Sequence, residues 1–144
     1  MVVVVIVGVL AATSIPLFMR TRLNTNEVVA QHDLKSVSAA VEIFRTSQIP
    51  PRYPNNLAEL ATESIPTLDA AITVGGMQHG YNFKLISSAD GSSYSCVANP
   101  VQFGATGSKS FCIDHSAGLR KYSDTIDADE AGCPNTKTLL SVEA

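Results

Sequence analysis

The residues best suited to chemistry lie late in the chain. Asp124, Asp127, Asp129 and Glu130 place four carboxylates within seven positions, and hard oxygen ligands at that density suit calcium. The run lacks the glycine and distal glutamate of an EF-hand loop, so a solvated acidic loop is the competing reading. Cysteines stand at 96, 112 and 133, which points to an oxidising compartment and leaves one thiol over. Cys96 faces Cys112 if the chain between them turns about Gly104, whereas Cys112 with Cys133 ties the polar tail to a strand. His32, His79 and His115 have no ligand-like spacing. Asp114, His115 and Ser116 are the residue types of a hydrolytic relay, yet adjacent strand residues point to opposite faces and cannot form one. With no phosphate-cradling loop, zinc signature or nucleophile-base pair in sight, neither an enzyme nor a cofactor is expected.

Length and charge narrow the field further. The chain has 144 residues, enough for one domain or one domain with an anchor. Ten Lys+Arg against thirteen Asp+Glu give a net charge of -3, which lacks the basic footprint of nucleic-acid binding.

The elements that must carry these residues begin with an apolar run. Met1 to Met19 reads MVVVVIVGVLAATSIPLFM, without a charge before Arg20. As a helix it rises roughly 28 Å, close to the hydrocarbon core of a bilayer. A signal peptide would begin with a basic segment, and a buried core helix rarely runs so long without a charge. Pro16 removes one helical hydrogen bond, Gly8 sits half-way along, and four consecutive valines favour extended backbone. Residues 8–16 are therefore a weak stretch, with Thr13 and Ser14 placed to satisfy freed backbone groups.

Between Leu17 and Gln48 there is no Pro or Gly. Leu23, Ala30, Leu34, Val37, Val41 and Phe44 form a stripe at helical spacing, and Glu27, Asp33, Lys35, Glu42 and Arg45 are expected mostly on other faces. The helix should end near Ser47, ahead of Pro50 and Pro51. A helix over 1–47 is roughly 70 Å long, while the remaining chain packs to a radius of gyration of about 12 Å. Half the helix must protrude. Three regions follow: 1–19, an apolar half; 20–48, an amphipathic half; and 49–144, a globular head.

In the head, Asn56 with Glu59 suggests a capped short helix over 56–60. Residues 64–80 show no clear period, and Gly75, Gly76 and Gly80 read as loop. Tyr81, Phe83 and Leu85 alternate with Asn82 and Lys84, Asp90-Gly91 marks a turn, and strands are expected at 94–98, 110–114 and 119–122 with Gly118 turning the chain between the last two. The tail from Ser123 is polar until Leu139-Leu140-Ser141-Val142. The expected architecture is α+β, an antiparallel meander packed on the C-terminal half of the long helix.

These pieces resemble the type IV pilins and the related pseudopilins of type II secretion over nearly the whole chain. The most specific part is MVVVVIVGVLAATSIPLF, with Val7-Gly8-Val9-Leu10-Ala11-Ala12 followed by Ile15-Pro16. Tyr53-Pro54, Asn56-Leu57 and Leu60, then Gly80-Tyr81-Asn82-Phe83, then Ser110-Phe111-Cys112-Ile113-Asp114 with Gly118-Leu119-Arg120, resemble later family segments. The resemblance implies a long helix on an antiparallel sheet. It also implies a structural subunit that waits in the inner membrane with a periplasmic head and is moved by an assembly platform into an extracellular helical filament. The filament core would hold Val3, Ile6, Gly8, Leu10, Ile15, Pro16 and Phe18. Adhesion and motility are the family's uses of such a polymer, and self is the principal partner. The resemblance favours Cys112 with Cys133, leaving Cys96 as a buried thiol, and some pseudopilins bind calcium near the position of the acidic run. Family members begin a few residues ahead of Met1, with an N-methylated aromatic residue and a glutamate, so a mature N-terminus upstream of Met1 is implied. A pseudopilin, a minor pilin acting as a binding module at a filament tip, and an anchored periplasmic enzyme are the alternatives.

Overall fold

The computed structural model describes residues 2–62, 68–135 and 139–143, without the side chains of Thr13, Pro16 and residues 139–143. A single helix, α1 (Val2–Ser47), runs unbroken through Gly8 and Pro16. The weak stretch is therefore helical in the isolated chain. Ser14 donates its hydroxyl to the Leu10 carbonyl at 2.7 Å, and Thr21 and Thr25 do the same to Leu17 and Thr21 at 3.0 Å, which keeps these polar groups satisfied on the helix itself.

After the proline-rich connector, α2 (Leu57–Thr62) starts on the expected cap. The Asn56 side-chain oxygen accepts the Glu59 amide at 3.0 Å. The Glu59 carboxylate reaches back one residue beyond a standard capping box, accepting from the Asn55 amide at 2.9 Å and from Arg52 at 3.3 Å.

The stretch read as loop holds a further helix, α3 (Ala70–Gly75), capped by Asp69, whose carboxylate accepts the Ala71 amide, and closed by Gly76 at φ 61°. Strand β1 (Met77–Gln78) follows and pairs with β2 (Tyr81–Ser87). The chain then forms β3 (Tyr94–Pro100), β4 (Ser110–Asp114), β5 (Leu119–Tyr122) and β6 (Leu139–Glu143). All six strands form one sheet in sequential order, antiparallel throughout. The fold is α+β, as expected. Between β4 and β5 the left-handed residue is Ala117, at φ 60°, and not Gly118.

The core lies between one face of α1 and one face of the sheet. Ala30, Leu34, Val37, Val41 and Phe44 are buried against Tyr81, Phe83, Leu85, Cys96, Ala98, Phe111, Ile113 and Leu119. A second, smaller cluster on the opposite face joins Val97, Cys112, Tyr122, Ile126 and Cys133. Among the described side chains the central strands are the ones covered on both sides: β2 alternates buried and exposed, whereas every residue of β4 is buried.

Candidate assembly surface

Along α1 from Val2 to Arg22, every described side chain is exposed. Val3, Ile6, Leu10, Ile15 and Phe18 are each more than half exposed, and a methyl group at Gly8 would meet nothing within 4 Å. The Pro16 side chain lies outside the described residues. Up to Met19 the helix carries no charge, and an apolar helical surface of that extent calls for burial in lipid or against other helices. By length and composition this helix is apolar enough to cross a membrane, a property it shares with signal segments.

The helix enters the head at a polar neck. Asn26 donates to the Thr106 carbonyl at 2.9 Å. One residue on, Glu27 is only 6% exposed; its carboxylate accepts the Ser108 hydroxyl at 2.6 Å, the Ser108 amide at 2.9 Å and the Lys109 ammonium at 3.2 Å. Burial alone pushes the Glu27 carboxyl up, but the Ser108 hydroxyl and amide and the Lys109 ammonium together hold it below the usual value of 4.5. The buried Tyr81 ring braces the loop, its hydroxyl donating to the Lys109 carbonyl at 2.9 Å. A side chain at position 107 would run into that ring, so Gly107 is required there. Burial, then the Glu27 charge, raises the Tyr81 pKa.

Glu27 was expected mainly off the apolar stripe. It sits three residues before Ala30 and seven before Leu34, on the same helical face, and is the stripe's one charged member. That spacing was the signal for a buried carboxylate needing a partner from another element.

The far face of the sheet is closed by the tail. Cys112 and Cys133 are disulfide-bonded. The Ser95 hydroxyl donates to the Asp129 carbonyl at 2.6 Å and accepts the Asp129 amide at 3.1 Å. The Asn99 side chain pairs both ways with the Ile126 backbone, at 2.7 and 3.0 Å. Buried Asp114 accepts the Cys133 amide at 3.2 Å and pairs with Arg120 at 3.5 Å, while Ser116 donates both hydroxyl and amide to it. Burial raises the Asp114 pKa, but these donors outweigh it and leave the carboxyl below 3.8.

The alternative pairing of Cys96 with Cys112 is overturned by register. Cys96 lies opposite Ile113, and Cys112 opposite Val97, so the two sulfurs leave opposite faces of the sheet. Cys96 is a free, fully buried thiol in the helix-facing core, its pKa pushed up to about 12 by burial. Asp124, Asp127, Asp129 and Glu130 are all exposed, and among the described residues no group of His, Cys, Asp or Glu forms a metal-holding cluster. His115 is exposed, and Ser116 and Asp114 bond each other in a turn, leaving no relay. Asp33 lies between His79, at 3.4 Å, and His32, at 3.6 Å, a local contact at the head's surface.

What fold and surface define is a head domain carried on a helix whose other half is an exposed apolar stalk. No known protein family, curated protein or solved structure matches the chain.

Proposed function

We propose that this protein is a structural subunit of a helical filament, of the kind formed by type IV pilins. It stands in a membrane through residues 2–19 before assembly and buries the same residues against copies of itself afterwards. The reading rests on one observation: a folded, disulfide-tied head leaves an uncharged helical half fully uncovered. Each large apolar side chain withdrawn from water contributes about 1.5–3 kcal/mol, so a bundle of such helices holds without covalent links. The resemblance of Val7–Ala12 and Ile15-Pro16 to the pilin helix supports the same conclusion. The head sits outside the cytoplasm, where its disulfide persists.

Oxidative cross-linking tests the packing. In assembled material, Leu10→Cys chains should link into covalent oligomers, while Lys84→Cys chains, altered on the exposed face of β2, should stay single. Leu10→Cys chains that remain single in sedimentable polymer contradict the proposal.

A further inference from the structure

Among the described residues, two cations at the neck have no acidic partner. Arg20 and Arg22 are exposed and follow directly on the uncharged run. Among the described residues no carboxylate lies within ion-pair distance of either. The nearest acid in sequence, Glu27, is already taken by Ser108 and Lys109. The Arg22 guanidinium lies 6.0 Å from the centre of the Phe18 ring, so it folds back toward the last aromatic residue of the apolar run.

Opposite these cations is the loop between β3 and β4. Its residues 104–106 form a groove with Arg20, Arg22 and Leu23 on the helix, and the Asn26–Thr106 hydrogen bond fixes its level. Residue 26 stands about 10 Å above Met19 along the helix axis, and the polar layer on each side of a bilayer is about 5–8 Å deep. A loop tip reaching down to residues 19–23 therefore enters that layer when residues 2–19 span the hydrocarbon. The same loop exposes two large apolar side chains, Val101 at 53% and Phe103 at 39%, although β3, which leads into it, is almost wholly buried. Apolar side chains beside unpaired arginines match the chemistry of a membrane surface, where rings sit at the headgroup level and guanidinium groups meet phosphate.

We infer that the 101–106 loop, together with Arg20 and Arg22, is a membrane-surface contact that binds anionic phospholipid headgroups and sets the head's height on the bilayer. The inference rests on the spanning role proposed for residues 2–19. Phe103 and Val101 enter the interface, and Arg20 and Arg22 hold lipid phosphate in the groove. The clamp of Glu27 on Ser108 and Lys109 keeps the loop at that depth.

The chain has no tryptophan, so a single introduced indole reports on one position. Full-length Phe103→Trp protein is placed in phosphatidylcholine vesicles containing phosphatidylglycerol, with bromine carried near the headgroup end of the acyl chains of one lipid or the other. Val101→Trp is the second probe, and Ile49→Trp, at the opposite end of the head, is the reference. The expected result is quenching at 103 and 101 and none at 49. Brominated phosphatidylglycerol should be preferred about fivefold for each arginine engaged, and the preference should vanish in Phe103→Trp chains carrying Arg20→Gln and Arg22→Gln. Insertion is scored separately by resistance to alkaline carbonate. Inserted chains unquenched at both 101 and 103 overturn the inference and leave the spanning role standing. Equal quenching by the two lipids overturns the headgroup assignment, and chains that carbonate strips from the vesicles overturn the spanning role and this inference together.

Discussion

Residues 2–22 and residues 23–47 share one helix and one backbone, but only the second half has something to pack on. Its stripe from Ala30 to Phe44 is buried against the sheet, whereas Val2 to Phe18, richer in apolar groups, touches no core. Hydrophobic content thus does not measure burial within a chain. The docked half shows period and interruption by charge, the marks of a surface with two sides. Residues 2–19 of the projecting half show neither: they carry no charge, and every described side chain among them is exposed.

The contrast is broken most sharply by truncating side chains in each half. Phe44→Ala should lower the stability of the head by about 3–5 kcal/mol, read from urea unfolding in detergent. Phe18→Ala should leave it within about 0.5 kcal/mol. Comparable losses from both would mean that the projecting half is part of the core.

Next in size is the tie at the back of the sheet. Replacing Cys112 and Cys133 with alanine should cost about 3 kcal/mol, given a separation of 21 residues. Amide exchange should quicken over 123–133 before it does over α1.

The neck, where the two halves meet, should show a smaller effect. Glu27→Gln loses the ion pair with Lys109 and weakens the bonds from Ser108, a cost of about 1–3 kcal/mol. Its pH dependence has a definite sign. Glu27 and Asp114 both titrate below their usual values of 4.5 and 3.8. The stability they contribute is complete above those values and is lost as pH falls through the lower folded ones. Urea midpoints should therefore drop in acid, less steeply in Glu27→Gln than in the unaltered chain; equal slopes would show that Glu27 is not held ionised by the neck.

The smallest effect separates the two kinds of cysteine. Cys96 should resist alkylation in the folded chain at pH 8 and react on unfolding, since burial holds its thiol protonated. Rapid labelling of the native chain would place it outside the core.

Much of this architecture is legible in the residues. The helix from the apolar run to Ser47, the strands β2 to β5 and the protruding half all follow from period, turn residues and length. What was not legible depends on contacts far apart in sequence. Ser95, Val97 and Asn99 alternate like an outward face, and only the tail packing over them makes that face interior. Helix α3 is six residues long, too short for a period to show, although Asp69 and Gly76 mark its two ends. Of the surface itself, the uncharged run up to Met19 was readable residue by residue. Glu27 was missed because Ser108 and Lys109 lie some eighty positions away.

Cryo-microscopy of the assembled polymer tests most directly whether residues 2–19 are the packing element. Helices bundled at the axis, with Val3, Ile6 and Leu10 of each copy buried against other copies, are the expected density. A polymer joined through heads alone, or isolated helices each surrounded by lipid, contradicts it.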